Sequence, residues 1–269
     1  MQLIVGSIIT FLVVIMAYMK KSLNKSGFVA AFILGTSIYY FGGFYFWGIM
    51  ISFFASSSLF TKYRKKEKKS MDKIIDENKE GRGYIQVIAN GLLGLVFSFL
   101  YYKTKNYNYL MAYAAVFAAS NADTWASEIG VLSNKKPVSI ITFKPMEKGM
   151  SGGVTLLGTI FSLLGSSLIA TIFFGGYIIL FKFDRTLPIK TMIIVIAGFM
   201  GALIDSILGA TIQVKYIDER ENIITERKFY KGKQTKYLKG IRFINNDIVN
   251  FLSGLFASLI VLLFITIVK

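Results

Sequence analysis

"FVAAFILGTSIYYFGGFYFWGIMISFFASSSLF", residues 28–60, runs its whole length without a charged side chain. As one straight helix it would be about 50 Å long, against a bilayer hydrocarbon core of about 30 Å. The run is therefore expected to break at Gly42 and Gly43 and to fold back as a tight helical hairpin.

Outward from this hairpin, further apolar runs lie at roughly 3–19, 84–102, 107–130, 152–181, 190–213 and 248–268. They predict an all-α polytopic membrane protein with about eight transmembrane helices, built as a single integral membrane domain over 1–269. Composition agrees: 54% of residues are hydrophobic, and the 17% that are charged crowd into short segments between the runs. Cysteine and histidine are both absent, which excludes disulfides, thiolate nucleophiles, imidazole bases and the usual zinc ligand sets. Chemistry must use carboxylates, amides, hydroxyls, lysine, arginine or a hard metal ion. The net charge of +16 is read as basic loops facing anionic headgroups, not as a nucleic-acid surface.

The first run has no positive residue before it and no small-residue cleavage site after it, so it is read as a retained helix with its amino end outside. The segments then expected on the cytoplasmic side, 20–27, 61–83, 131–151 and 214–247, hold most of the lysines and arginines. Both chain ends are expected outside the cell membrane, with any site cytoplasmic. Segment 61–83 reads as a basic linker on the inner leaflet. Segment 214–247 alternates polar with β-branched or aromatic residues around Gly232, which predicts a small cytoplasmic β-hairpin or loop insertion before the last helix.

Polar residues recur at helical spacing in three of the runs. Arg82, Gln86, Asn90 and Gly94 form one stripe, Gly201, Asp205 and Gly209 a second, and Asn246, Asn250, Gly254 and Ser258 a third with Asp247 beside it. Such stripes serve close helix packing. Their polar ends all fall at the expected cytoplasmic boundary, which packing alone does not require. In "SNADTWASEIG", residues 120–130, Asn121, Thr124 and Glu128 share a face, while Asp123 lies about 140° from Glu128. Either the two carboxylates serve different partners, or the helix breaks near Ser120 and restarts with Ser120 or Asn121 as its cap. Next comes "KPVSIITFKPMEKGMSGGVTLLG", in which Lys144, Lys148 and a turn of Gly149, Ser151, Gly152 and Gly153 precede a long apolar helix. Backbone amides of a glycine turn, helped by a lysine, suit phosphate oxygens. Carboxylates and amides facing that turn suit Mg²⁺, which takes oxygen ligands and commonly binds through one or two carboxylates plus substrate phosphates. No GxxxxGK[ST] motif and no kinase loop set is present.

"GRGYIQVIANG", "NADTWASEIGVLS", "KGMSGGVTLLG", "DSILGATIQ" and "NDIVNFLSG", in this order, resemble the integral membrane family (domain of unknown function 92) that includes transmembrane protein 19 and the plant phytyl-phosphate kinase. More distantly, the order of aspartate, glycine, proline and glycine turn is similar to membrane CTP-dependent polyprenol kinases and cytidylyltransferases. The resemblance implies an Mg²⁺-assisted phosphotransferase that uses CTP to convert a prenyl monophosphate to the diphosphate. It implies catalytic roles for Asp123, Glu128, Asp205 and Lys144, and metal ligation by Asp123, Glu128 and Asp205 with Asp247 as a helper. Lys148, Ser151, Gly152 and Gly153 would hold nucleotide phosphates, Arg82 the acceptor phosphate, and Asn90, Asn121, Thr124, Asn246 and Asn250 would orient phosphate oxygens and water. Some members carry cysteines and a histidine between the last two helices; this chain has neither, so no metal role carries over to 214–247. The other reading that the stripes admit is a transporter or flippase for an anionic lipid or small anionic solute.

Overall fold

The computed structural model describes residues 1–63 and 81–267, so the expected basic linker 61–83 lies largely outside the described residues. The chain is mostly helical: α1 (Gln2–Met19), α2 (Lys25–Lys62), α3 (Tyr84–Thr104), α4 (Tyr107–Gly130), α5 (Leu156–Phe181), α6 (Leu187–Thr211) and α7 (Asn246–Ile267). Six of these, all but α4, are long and apolar enough to cross a membrane.

That number differs from the eight expected segments for two physical reasons. The run 28–60 sits within the single helix α2, although α2 is bent back on itself at Gly43, whose φ of 70° and ψ of −166° are not helical. Met50 Cε comes within 3.4 Å of where a side chain on Gly35 would begin. A straight helix would hold those two positions about 22 Å apart, so the two arms do lie side by side. Helix α4 falls short on apolarity because it faces other helices and not lipid. Every residue from 110 to 122 is buried, and alanine fills much of that stretch, letting α2, α3, α5, α6 and α7 pack around it.

Gly43 occupies a backbone region open essentially to glycine alone. An added Cβ would meet nothing within 4 Å, so Gly43→Ala tests backbone strain without a clash. It is expected to cost about 1–3 kcal/mol, read as a lowered unfolding temperature in detergent.

Short strands carry the connections at one end of the bundle. β1 (Val138–Ser139) pairs antiparallel with β2 (Gly153–Val154), so the fifth helix starts at Leu156 and not at the expected 152. Between α6 and α7 the insertion is larger than a single hairpin. β3 (Lys215–Asp218) is the middle of a three-stranded sheet ordered β4–β3–β7, with β4 at Ile223–Thr225 and β7 at Lys236–Lys239. β5 (Phe229–Tyr230) and β6 (Lys233–Gln234) form a separate hairpin.

The opposite half of the bundle is filled. Phe46, Tyr113 and Phe173 are fully buried, and Tyr113 Oη donates to the Phe46 carbonyl at 2.6 Å. Tyr45 Oη donates to the Phe173 carbonyl. Tyr101, Tyr107, Tyr177 and Phe181 close that end with ring contacts, Tyr107 and Phe181 having centroids 5.0 Å apart.

Candidate functional site

At the strand-bearing end the helices splay around a cavity of ≈ 1130 Å³. Its walls come from α2, α3, α4, α5, α6 and α7, its rim from Lys20, Lys21 and Lys62, and its cover from the glycine turn and the β-insertion. The three polar stripes reach it through their charged and amide ends: Arg82 just ahead of α3 with Gln86 and Asn90 on it, Asp205 from α6, and Asn246, Asp247 and Asn250 from α7. The same stripes do packing work deeper in. A side chain on Gly94 would collide with Phe117, and one on Gly201 with Ala119, so in the first two stripes these glycines seat helices while the polar residues meet the cavity; Gly254 of the third has ordinary room for a Cβ.

Helix α4 does not break. It runs unbroken to Gly130, so Asp123 is a mid-helix residue and neither Ser120 nor Asn121 caps a restart. The last turns of α4 project into the cavity, and Asp123, Thr124 and Glu128 line it despite the angle between the two carboxylates. Thr124 directs its hydroxyl to the Ser120 carbonyl at 2.8 Å. Asp123 meets Asp205, their carboxyl groups within hydrogen-bond reach, and Ser253, whose hydroxyl donates to the Asn250 carbonyl at 2.9 Å, lies beside Asp205. Asp205 is 7% exposed. Its Oδ2 and the Oδ1 of Asn250 are buried without a hydrogen-bond partner among the described residues. Two carboxylates in contact cannot both stay ionised without a proton or a cation between them.

The expected four-carboxylate ion cage is corrected to this pair. Among the described residues no three carboxylates come close enough together to hold a metal ion. Glu128 sits five positions along α4 from Asp123, and its charge acts on both Arg82 and Asp123. Asp247 belongs to the first turn of α7, whereas the α7 residue that lies beside Asp205 is Ser253. Both still line the cavity. Burial pulls the Arg82 guanidinium down to about 10, opposed by the Glu128 charge, which leaves it cationic at neutral pH.

The glycine turn is not the start of a helix, since α5 is capped by Thr155, whose Oγ1 accepts from the Gly158 amide at 3.0 Å. It is a β-turn wedge held by the insertion. The Ser151 amide donates to Glu226 Oε1 at 3.1 Å, the Ser151 carbonyl accepts from Lys215 Nζ at 2.9 Å, and Gln213 Nε2 donates to Ser151 Oγ at 3.3 Å. Lys215 is 2% exposed, and burial lowers its pKa while Glu226 opposes the shift. The amide expected to meet a phosphate oxygen thus already binds an anion, a carboxylate of the same chain. Lys148, Gly149, Gly152 and Gly153 line the cavity, and Lys148 Nζ donates to the Ser133 carbonyl at 2.5 Å.

Two expected site residues are elsewhere. Lys144 is exposed on the loop that the Val138–Pro145 bridge turns outward, and it does not line the cavity. Asn121 is fully buried: its Oδ1 accepts from Ser56 at 2.8 Å and Ser57 at 3.2 Å, and its Nδ2 donates to the Gly165 carbonyl at 2.8 Å. It ties α4 to α2 and α5. Asn121→Ala is expected to cost about 1–3 kcal/mol of stability by stranding those partners. Turnover per folded molecule should hold, which unfolding curves and specific activity on the same sample would check.

Residues that the sequence reading did not single out are Lys215, Gln213, Thr225, Glu226 and Arg227, all from the insertion. The β-pattern of 214–247 was visible, but nothing local marks which of its charges folds back onto Ser151, 75 positions earlier in the chain from Glu226.

The model of a family described as integral membrane protein DUF92 matches residues 8–258. Protein PGR of Arabidopsis thaliana is 32% identical over 277 aligned positions, covering 96% of this chain and 94% of that protein. The uncharacterized membrane protein MJ0933 of Methanocaldococcus jannaschii is 33% identical, covering 82% of this chain and 88% of its own. Protein VTE6, chloroplastic, of Arabidopsis thaliana is 26% identical over 90% of this chain and 65% of that protein. No solved structure matches.

Proposed function

We propose, from the premise that the chain belongs to the integral membrane protein family DUF92, that it is a membrane-embedded phosphotransferase. In this reading it moves a phosphoryl group from CTP to a prenyl monophosphate, giving the prenyl diphosphate at a site facing the cytoplasm. One observation carries it: an acidic pair from distant helices, a glycine turn and a half-buried arginine line a single cavity at the end of the bundle where most of the lysines and arginines lie. The resemblance of the chain to the family of the plant phytyl-phosphate kinase supports the substrate class.

The site's donor set fits Mg²⁺. Asp123 and Asp205 adjoin, and the unpartnered oxygens of Asp205 and Asn250 are the hard ligands that ion prefers. Asp123 and Asp205 would hold it, with Asn250 beside them. When bound, Mg²⁺ neutralises charge on the phosphate oxygens as transfer proceeds. The chain's own groups do the rest. Arg82 orients the acceptor phosphate, which is ionised near neutral pH and needs no strong base to attack. Lys148 and the turn at Gly152 hold the donor's phosphates. One P–O bond forms to the acceptor oxygen as another breaks to release CDP. A transporter would need a polar route to the opposite face, and the Phe46, Tyr113 and Phe173 core fills that half. This favours the enzyme.

The test is purified protein in detergent with Mg²⁺, γ-labelled CTP and geranylgeranyl or phytyl monophosphate, separated by thin-layer chromatography. Label is expected in the lipid diphosphate. Its absence with CTP, ATP, GTP and UTP alike, beside a working control kinase, would remove the reading.

A further inference from the structure

Two tips stand out from the cover at the strand-bearing end, and neither lines the cavity. Ile141, Phe143 and Lys144 project from the loop between β1 and β2, and Ile241, Arg242 and Phe243 from the link between β7 and α7; all six are exposed. Phe143 is 77% exposed and Phe243 72%, the highest values of any phenylalanine among the described residues, although both lie outside the spanning helices. Backbone bonds fix each tip beside the end of a spanning helix. The Ile140 amide donates to the Gly152 carbonyl at 3.0 Å, and β2, which follows Gly152, ends two positions before α5 begins. The Ile241 amide donates to the Ile212 carbonyl at 2.8 Å, immediately past α6, and Phe243 stands three positions ahead of α7. Charge at both tips has one sign. Residues 139–146 and 233–246 contain no carboxylate, and among the described residues neither Lys144 nor Arg242 pairs with one.

We propose that these tips dock the cavity's cover onto an anionic leaflet of the bilayer. The Phe143 and Phe243 rings enter the boundary between headgroups and acyl chains, and Lys144 and Arg242 meet lipid phosphates. Position carries this first. An exposed aromatic ring at the level where spanning helices end is at headgroup depth, where membrane proteins concentrate such rings. Chemistry carries it second. Apolar side chains interleaved with lysine and arginine suit a surface that is apolar below and negative above, and each cation beside an anionic leaflet adds attraction. The docking has a consequence for the site. The first tip shares its loop with the glycine turn, and the second belongs to the insertion whose Glu226 and Lys215 bond to Ser151. The leaflet would thus hold from outside the two pieces that Ser151 joins over the cavity. Only this consequence for turnover rests on the kinase reading; the docking does not.

The experiment uses the full chain in nanodiscs of phosphatidylcholine, alone or mixed with phosphatidylglycerol. Phe143→Cys and Phe243→Cys, in a chain with no other cysteine, each take a bimane label. In the mixed discs both labels are expected to be quenched by lipid carrying a doxyl group just below the headgroup and shielded from iodide, with doxyl quenching about twofold weaker in phosphatidylcholine alone. Adding Lys144→Gln and Arg242→Gln to either labelled chain should remove that difference between discs. Labels open to iodide and silent to doxyl lipid in both discs would overturn the docking. Labels shielded from iodide yet silent to doxyl lipid would overturn it too, in favour of a protein partner. Equal quenching in the two discs would overturn the anionic leaflet as the occupant. For turnover, Phe143→Ser/Phe243→Ser is expected to raise the KM for CTP about fivefold in mixed discs at an unchanged unfolding temperature. An unchanged KM would remove the link to the site. Docked labels without phosphoryl transfer in any disc would leave the docking standing and remove the kinase. Transfer with both labels in water would do the reverse.

Discussion

Replacing Asp205 by asparagine is expected to lower phosphoryl transfer on the order of a thousandfold while leaving the protein as stable as before or more so. The two halves of that statement have one cause. Asp205 is buried, adjoins Asp123, and leaves Oδ2 without a partner among the described residues. A carboxylate in that position adds nothing to the resting fold that an amide of the same shape would not supply, and it adds repulsion against Asp123. Its value lies in the charge it offers to a cation and, through it, to phosphate oxygens. A carboxylate kept for packing would behave otherwise, since the amide would then cost stability and spare the rate. Monodispersity, unfolding temperature and turnover, measured on one preparation of Asp205→Asn and wild type, separate the two cases. The variant should also lose the stabilisation that Mg²⁺ with CTP gives the wild type.

Gly152→Ala is expected to be nearly as damaging to turnover, for a different reason. Gly152 has a φ of +91°, a conformation that strains any L side chain. Its new Cβ would lie 2.5 Å from Ala210 Cβ, 2.8 Å from Ala210 Cα and 2.9 Å from Ala210 N. Most of that obstruction is the backbone of α6, so trimming Ala210 to glycine would not relieve it. Strain and overlap together are expected to cost about 2–6 kcal/mol. The turn that survives would be pushed off α6 by a fraction of an ångström or more, and displacement on that scale costs about a hundredfold in rate. Thermal unfolding gives the first number and specific activity of the folded fraction the second. Wild-type rates in a folded Gly152→Ala would mean that the turn takes no part in catalysis.

Period and charge made the architecture legible to a definite depth. The hairpin at Gly43 could be read because no bilayer is thick enough for residues 28–60 as one helix. The three stripes could be read because residues four apart share a helical face, and their polar ends do line one cavity. The start of α5 was misplaced because Gly153 and Val154 pair with a strand fifteen residues upstream, a non-local contact with no period. Asn121 looked like its neighbour Asp123 for want of any one-dimensional signal separating an amide that faces Gly165 from a carboxylate that faces Asp205. Only the rotation of α4 within the bundle decides that, and it is set by the helices around it. The contacts of the insertion with Ser151 were hidden for the same reason.

The account depends on Asp123 and Asp205, more than eighty positions apart in sequence, sharing one pocket open to water. The chain contains no cysteine, so introduced thiols can be read without background. In the double variant Asp123→Cys/Asp205→Cys, a short bis-methanethiosulfonate reagent is expected to join the two thiols within one chain. Each single variant should react with a membrane-impermeant maleimide from the cytoplasmic face alone. Failure of the bridge to form, with each thiol nevertheless labelled, or labelling from the opposite face, would contradict it.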